Sequence, residues 1–290
     1  MSNAIELLCP AKLNLFLHIV GRREDGYHLL QSVFQLIDWC DVLTLKPIPE
    51  NKIRRIDPIP GLPPEQDLVV RAAQLLKDFC KTDQGVEISL EKNIPMGAGL
   101  GGGSSDAAST LIGLNTLWGL HLDTPTLCQL GLKLGADVPF FIFGQNAFVE
   151  GVGEKLEVIS LESQDFVVIF PNRGIATAQI FQDPELTRDH APITIDRFLA
   201  SPRSYQSNDC QAVAAQNCPE VKLALDWIYK AVPSSAPCMS GSGSSVFAAL
   251  DPKTDTANLE ILLQKLPKGW IGRIVRGLNK NPAYNLISSD

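Results

Sequence analysis

The stretch Pro95-Met-Gly-Ala-Gly-Leu-Gly-Gly-Gly-Ser-Ser105 contains five glycines in eleven residues. A strand pattern at residues 86–90 precedes it, and a helix pattern that runs to about Trp118 follows it, with Ser104 or Ser105 as the expected N-cap. Glycine lets the backbone come close to a ligand, and the first N–H groups of a helix attract anions. This segment, the glycine loop, therefore predicts a polyphosphate site with these candidate contacts: Pro95, Met96, Gly97, Ala98, Gly99, Leu100, Gly101, Gly102, Gly103, Ser104 and Ser105.

Two well-known phosphate motifs match the glycine loop in part. Gly97, Gly99 and Gly102 have the G-x-G-x-x-G spacing of dinucleotide-binding enzymes, which makes an NAD-dependent oxidoreductase an alternative. That motif needs a second strand after the helix, whereas a second helix pattern follows here at residues 124–134. The G-x-x-x-x-G-K-[ST] motif also begins at Gly97, but Gly103 stands where its lysine belongs. The charge of that lysine must therefore come from elsewhere in the chain.

Hydrophobic patterns outside the loop mix strands and helices. Residues 11–20 alternate as a strand with one apolar face and with Lys12 and Asn14 on the other. Further strands are predicted at 29–45, 166–170, 246–250 and 271–275, and further helices at 68–79, 208–217, 219–231 and 258–266. Asp67 is the expected N-cap of the helix at 68–79, and Asp123 or Thr124, followed by Pro125, is expected to open the helix at 124–134. Because strands and helices do not alternate regularly, we predict an α+β protein. We place a domain boundary near residue 160, which gives two tightly packed domains, 1–160 and 161–290.

Composition limits the classes of partner. The 290-residue chain has a net charge of −7 and no basic run longer than a pair, which argues against nucleic acid or an anionic membrane. Seven scattered cysteines without Cys-x-x-Cys spacing argue against a disulfide framework or a zinc site. No signal peptide and no apolar run of the ~20 residues needed to span a bilayer is visible. We expect a cytoplasmic monomer or weak homodimer that acts on small molecules.

The glycine loop resembles the ATP loop of the galactokinase, homoserine kinase, mevalonate kinase and phosphomevalonate kinase superfamily, the GHMP kinases. That loop usually reads Gly-Leu-Gly-Ser-Ser-Ala, whereas here two further glycines precede Ser104. The longer loop is similar to that of one branch, whose acceptor is 4-diphosphocytidyl-2-C-methyl-D-erythritol. Seven other segments resemble motifs of this branch in the same order: PAKLNLFL at 10–17, DGYH at 25–28, LGADVPF at 134–140, EGVGE at 150–154, IFQDPEL at 180–186, SND at 207–209 and SGSG at 240–243.

This resemblance implies a two-domain GHMP kinase fold. The N-terminal domain would be ribosomal-protein-S5-like and would bind ATP, and a ferredoxin-like C-terminal domain would close the substrate cleft. The implied reaction is ATP-dependent phosphorylation of the 2-hydroxyl of the cytidine-diphosphate alcohol, in non-mevalonate isoprenoid precursor synthesis. Mg²⁺ would arrive with ATP, since no Asp/Glu/His cluster predicts a dedicated metal site. A GHMP-type kinase of another small alcohol and a nucleotide-binding module without activity are the alternatives.

The resemblance also implies which groups react. Asp137 would accept the proton of the hydroxyl, and Lys12 would reach both Asp137 and that hydroxyl. Taken without the resemblance, an aspartate beside glycine and proline fits a helix or turn cap better. A strand lysine is likewise more often an exposed edge residue.

The nucleotide end of the acceptor has its own candidates. The resemblance implies that Tyr27 and Phe181 stack on the two faces of the cytosine ring, with His28 hydrogen-bonded to its edge. Outside the DGYH context, Tyr27 would be interpreted as a core aromatic and His28 as a surface histidine. Further candidate contacts with the acceptor are Asn14, Thr177, Gly241 and Ser242.

Overall fold

The computed structural model describes residues 4–286, apart from the side chain at position 285. The N-terminal segment, in which no signal peptide is predicted, includes residues 1–3, which lie outside this range. The strands are β1 (Ile5–Arg22), β2 (His28–Ile48), β3 (Ile53–Arg55), β4 (Gly85–Glu91), β5 (Ala147–Glu150), β6 (Lys155–Val158), β7 (Asp165–Phe170), β8 (Cys238–Met239), β9 (Val246–Ala249) and β10 (Ile271–Leu278). The helices are α1 (Leu68–Cys80), α2 (Gly102–Leu117), α3 (Thr124–Leu132), α4 (Val138–Phe143), α5 (Thr177–Gln182), α6 (Ile195–Ala200), α7 (Gln211–Asn217), α8 (Pro219–Ala231) and α9 (Thr256–Leu263), with 3₁₀ turns at Pro202–Tyr205 and Pro282–Leu286.

One sheet of ten strands runs through the described residues, and β2 is its central member. The strand order is β3-β4-β2-β10-β7-β9-β8, while β1 and β5 also pair with β2, and β6 pairs with β5. Only β3–β4 is a parallel pair among these neighbours. A largely antiparallel sheet with segregated helices is an α+β arrangement rather than a doubly wound parallel one. The α+β prediction is confirmed.

Strand β1 departs from the simple alternation predicted for residues 11–20. Its pairing with β2 changes register after Pro10 and again after Asn14. Lys12 and Asn14, predicted to lie opposite the apolar face, are only 3% and 2% exposed. The second half of the chain covers them, since the Asn14 N–H donates to Ser240 Oγ and the Leu17 N–H donates to the Ser207 carbonyl. Around Lys12 and Asn14 both faces of β1 are therefore buried, and one of them is polar.

Helix starts follow the predicted capping residues in two cases and not in a third. Asp67 caps α1 by accepting the Val69 N–H, and Asp123 caps α3 by accepting the Thr126 N–H. Neither Ser104 nor Ser105 caps α2, which begins at Gly102 after an N-cap glycine, Gly101, with φ +74°. The positive φ of Gly101 turns the chain into the helix before the serines, so both serines lie inside its first turn.

The apolar core consists of several clusters, some of which join the two halves of the chain. β1, β2, β4 and helices α1–α4 form the first core, and β7–β9 with α7–α9 form the second together with Leu17 and Ile19 of β1. A third cluster joins Ala11 and Leu13 of β1 to Phe166 and Val168 of β7. The boundary predicted near residue 160 falls between β6 and β7 and stays a prediction. No helix within residues 4–286 combines the length and apolarity needed to cross a membrane.

Candidate active site

Two recesses lie on either side of the glycine loop. The main cleft has a volume of about 630 Å³ and a second recess about 320 Å³. Gly97, Gly99 and Gly101 line both. The main cleft collects candidates from distant parts of the sequence: Lys12, Asn14, Tyr27, His28, Asp137, Thr177, Phe181, Gly241 and Ser242. The second recess is lined by the rest of the loop from Pro95 to Ser104, together with Lys92 and Asp106.

The backbone of the glycine loop has the conformation that its glycines allow. Gly97, Gly99 and Gly101 have φ values of +65°, +76° and +74°, a left-handed region that other residues rarely adopt. The chain then enters α2, whose first N–H groups have no partner within the helix. Those N–H groups and the positive end of the helix dipole favour an anionic ligand.

The two serines of the loop have different surroundings. Ser104 is half-buried and lines the second recess. Ser105 is fully buried, its hydroxyl has no hydrogen-bond partner, and its N–H donates to the Gly101 carbonyl. Of the eleven candidate contacts in the loop, Ser105 is therefore the one that the structure places outside both recesses.

The second glycine-serine turn, residues 240–245, packs directly on the glycine loop. Ser240 Oγ donates to the Gly99 carbonyl at 3.0 Å, and the Ser245 N–H donates to the Ala98 carbonyl at 3.0 Å. A side chain at Gly99 would collide with the Ser240 carbonyl. Close backbone approach between the two turns closes one wall of the main cleft and places Gly241 beside Lys12.

Lys12 and Asp137 meet at the base of the main cleft, although 125 positions separate them in sequence. Lys12 Nζ lies 3.7 Å from Asp137 Oδ2 and also donates to Asn14 Oδ1. The ammonium lies 4.8 Å from the centre of the Phe34 ring. The Lys12 N–H donates to the Leu100 carbonyl at 2.9 Å, which connects β1 to the glycine loop.

Burial and charge act in opposite directions on this pair. Burial lowers the pKa of Lys12 below its usual value, and the Asp137 carboxylate partly offsets this effect. Asp137 is at the N-cap position of α4, but its side chain makes no capping hydrogen bond, so its alternative interpretation as a helix cap is wrong. With 33% of its side chain exposed, Asp137 can meet a ligand in the cleft.

Three predicted aromatic groups line the far end of the cleft. Tyr27 is 65% exposed, and the rings of His28 and Phe181 are 5.1 Å apart and tilted by 38°. Thr177, at the start of α5, shares a 2.7 Å hydrogen bond with Ser242. Apart from Ser105, the structure brings the predicted site residues together around the cleft and the adjoining recess.

The second recess also contains a half-buried lysine, Lys92, that was not predicted from the sequence. Lys92 donates to Asp106 Oδ2 at 2.7 Å and to Asp41, and both carboxylates are almost fully buried. Burial raises the pKa of Asp106 to about 7, with Lys92 opposing and Asp41 adding to the shift. Lys92 is two residues from the end of the strand pattern at 86–90, and the absence of a motif lysine in the loop was the available signal.

A second missed residue is Arg188, in the loop after α5. Arg188 Nε donates to His28 Nε2 at 3.1 Å, and other guanidinium nitrogens donate to the carbonyls of Phe181, Asp183 and Leu186. No sequence pattern separates this arginine from other loop arginines. It joins Phe181 to His28, which precedes Arg188 by 160 residues.

Known proteins resemble this chain in sequence and in structure. Residues 67–145 match the family model described as GHMP kinases N terminal domain. The 4-diphosphocytidyl-2-C-methyl-D-erythritol kinase of Polynucleobacter asymbioticus is 77% identical over 287 residues, which cover 99% of this chain and 98% of that protein. A crystal structure of 4-(cytidine 5'-diphospho)-2C-methyl-D-erythritol kinase is 33% identical, with a TM-score of 0.80 over 94% of this chain and 99% of that one. Methanococcus jannaschii mevalonate kinase, 15% identical, has a TM-score of 0.69 over 96% of this chain and 99% of its own, a likeness of fold.

The fold and the cleft, taken with these matches, define a small-molecule kinase of the GHMP class that uses ATP as co-substrate. The predicted GHMP fold is confirmed. At 77% identity over nearly its whole length, the chain belongs to the 4-diphosphocytidyl-2-C-methyl-D-erythritol kinase family. The NAD-dependent alternative is wrong, because α2 leads to α3 and an antiparallel sheet instead of the parallel strand that its motif requires.

Proposed function

We propose that this enzyme transfers the γ-phosphoryl group of ATP to the 2-hydroxyl of 4-diphosphocytidyl-2-C-methyl-D-erythritol. The observation that supports this most directly is the Lys12–Asp137 pair, which lies between the glycine loop and the aromatic end of one continuous cleft. A donor with phosphates on the loop and an acceptor with a nucleobase at the aromatic end would meet at this pair.

The chemistry follows from the charges at the pair. The oxygen of the acceptor hydroxyl attacks the γ-phosphorus while Asp137 accepts the proton of that hydroxyl. The bond between the γ-phosphorus and the bridging oxygen breaks, and this oxygen leaves with ADP. Lys12 stabilises the ionised carboxylate and the negative charge that develops on the transferred group. Since its Nζ also donates to Asn14, its position is held from two sides. In a loose transition state, placing the hydroxyl in line contributes more than removing its proton.

The aromatic end suits a cytidine diphosphate. The exposed face of Tyr27 and the ring of Phe181 offer surfaces on which a base can stack, each worth ~1–3 kcal/mol in nucleic-acid binders. His28 and the hydroxyls of Thr177 and Ser242 provide hydrogen-bonding groups along the same cleft. The division into an ATP-binding domain, 1–160, and a domain that closes over the acceptor, 161–290, is part of this proposal.

Magnesium fits the donor set at the glycine loop as a metal that ATP brings. No group of three or more His, Cys, Asp or Glu side chains is arranged for a metal in the part of the chain that the structure describes. Mg²⁺ commonly binds through substrate phosphates and water with one or two protein oxygens, and Ser104 in the loop offers such an oxygen. When bound, it would neutralise charge on the β- and γ-phosphates.

The proposed setting is a cytoplasmic one, with two small-molecule substrates and neither nucleic acid nor a membrane as partner. We propose a monomer or a weak homodimer. Sedimentation at several protein concentrations distinguishes these two states.

A coupled assay of ADP release tests the proposed reaction. ATP is supplied with the cytidine-diphosphate alcohol, with the same alcohol lacking cytidine diphosphate, with an unrelated small alcohol, or with no acceptor. We expect ADP release only with the first, and a phosphate on the 2-hydroxyl of the product. Release with an unrelated alcohol and none with the cytidine compound would indicate a different GHMP-type kinase, and ATP binding without any transfer would indicate a non-catalytic module.

Asp137→Asn tests the assignment of the base. The amide cannot accept the proton, so we expect kcat to fall by about 10²-fold or more while ATP binding stays within twofold. Asp226→Asn is the matched control, because Asp226 forms an exposed ion pair with Lys222 on α8. Near-normal turnover in Asp137→Asn would show that this carboxylate is not the base.

A further inference from the structure

Arg188 connects the two sides of the aromatic end. Three of its nitrogens make four hydrogen bonds: Nε to His28 Nε2, Nη1 to the Leu186 carbonyl, and Nη2 to the carbonyls of Phe181 and Asp183 at 3.1 and 2.7 Å. Arginine has five N–H donors in a fixed plane, so these bonds set the ring of His28 relative to the backbone of Phe181. The rings of the two bridged residues lie 5.1 Å apart.

The bond to His28 also determines where the imidazole carries its proton. A guanidinium is always protonated and has no acceptor, so the ring nitrogen that it meets must offer a lone pair. His28 Nε2 is therefore unprotonated, the ring is neutral, and its single N–H is at Nδ1. Burial, then the charges of Arg188 and Arg22, lower the pKa of His28, which agrees with a neutral ring.

We propose that Arg188 is a positioning residue that holds His28 as the Nδ1–H tautomer, so that the acceptor site presents an N–H donor to the nucleobase. A donor at this place matches the carbonyl oxygen or the unprotonated ring nitrogen of a cytosine. The identity of that base rests on the proposed function, whereas the tautomer does not. Arg188 acts through His28 and Phe181 and is not itself among the residues that line the main cleft.

The ligand-free enzyme tests the tautomer directly. The chain has four histidines, so ¹⁵N spectra of the imidazole nitrogens are simple, and His28→Gln assigns the signal of His28. At pH 7.5 we expect a protonated Nδ1 and an unprotonated Nε2 for His28. Arg188→Met should move this signal towards the Nε2–H tautomer that free histidine prefers. A wild-type His28 that is charged or protonated at Nε2 would overturn the proposal, whether or not the variant folds.

Kinetics test the consequence for binding. In Arg188→Met we expect the KM for the cytidine-diphosphate alcohol to rise about fivefold, the contribution of one hydrogen bond, with kcat and the KM for ATP within twofold. The raised KM should fall again between pH 8 and pH 6, because an imidazolium has an N–H at both nitrogens, while the wild-type KM stays flat. Arg197→Met, on an exposed residue of α6, is the matched control.

The outcomes separate this inference from the proposed function. If the wild-type enzyme shows the Nδ1–H tautomer but does not phosphorylate the cytidine compound, the tautomer stands and the proposed acceptor is wrong. If the enzyme is active and Arg188→Met lowers kcat and leaves the acceptor KM unchanged at every pH, the positioning role is wrong. If the planar guanidinium is required, Arg188→Lys and Arg188→Met should raise the acceptor KM equally. Full activity of the lysine variant would contradict this requirement.

Discussion

Replacing Gly99 by alanine tests whether contact between the glycine loop and the 240–245 turn builds the site. Gly99 has φ +76°, and an added Cβ would collide with the Ser240 carbonyl and lie 2.8 Å from the Gly243 carbonyl oxygen. Carbon–oxygen contacts are normally ~3.3 Å or longer, so the two turns would have to separate by about 1 Å. We therefore expect Gly99→Ala to disturb both the fold and the catalytic cleft.

The expected magnitude follows from what such a separation breaks. The left-handed conformation costs a non-glycine residue ~1–2 kcal/mol. Two hydrogen bonds between the turns, Ser240 Oγ to Gly99 O and Ser245 N–H to Ala98 O, are stretched, at ~1 kcal/mol or more each in a buried site. The free energy of unfolding should therefore fall by about 3–5 kcal/mol, a large part of the ~5–15 kcal/mol typical of a folded domain.

Gly97→Ala is the matched control. Gly97 has a similar φ of +65°, but the nearest atom to an added Cβ is the Gly174 Cα at 3.8 Å, an ordinary contact. This variant should lose only the ~1–2 kcal/mol of backbone conformation. The difference between the two variants, about 2–4 kcal/mol, then measures the contact between the turns.

Urea denaturation followed by circular dichroism gives the two unfolding free energies, and initial rates give the kinetic constants. In Gly99→Ala the KM for ATP should rise and kcat should fall, because the Leu100 carbonyl that bonds the Lys12 N–H moves with the loop. If the two variants differ by less than about 0.5 kcal/mol and both retain wild-type kinetics, close approach of the turns is not required and the reasoning is refuted.

Two further predictions concern pH. His18 is buried against His190 and Asp209, and burial lowers its pKa to about 4. In the unfolded chain the imidazole takes up a proton near pH 6.5. Acidification from pH 7 to 4 should therefore cost the wild type up to about 3 kcal/mol of unfolding free energy that His18→Gln does not lose. Equal urea midpoints in both proteins at each pH would contradict this. For Asp106 the pH dependence has the opposite sign. Its pKa is raised from 3.8 to about 7 because the fold disfavours the charged carboxylate. Its contribution to the free energy of unfolding is therefore lost as the pH rises from about 4 to 7, and over that range Asp106→Asn should gain a few kcal/mol of stability relative to the wild type. A stability difference that does not change with pH would show that Asp106 titrates normally.

Two of the three helix caps expected from local sequence patterns were predicted correctly. The caps at Asp67 and Asp123 depend on a side chain and an N–H two or three residues away, and both were found where the sequence placed them. The cap expected at Ser104 or Ser105 failed, although it too is local, because glycine conformation at Gly101 started the helix earlier. Serine can cap a helix only where the backbone places it at the N-cap position, before the first helical residue.

Interactions between distant residues needed the tertiary structure. Lys12 had the pattern of an exposed strand residue, and only the packing of the 240–245 turn over β1 shows that it is buried next to Asp137. Arg188 had no spacing or motif to mark it, and the missing loop lysine indicated a cation from elsewhere without pointing to Lys92, since each contact depends on which segments the fold brings together.

The sequence by itself determined the glycine loop, the α+β class and, through its resemblance to the GHMP kinases, the candidates for the reacting pair. These follow from side-chain periodicity, from the conformations open to glycine and from motifs in a fixed order. Only the tertiary structure decided the burial and the partners of the site residues: the pKa of Lys12 is lowered by burial, the Asp137 side chain makes no capping hydrogen bond, and His28 meets an arginine 160 residues away. Such properties depend on desolvation and on partners that only folding brings within hydrogen-bonding distance.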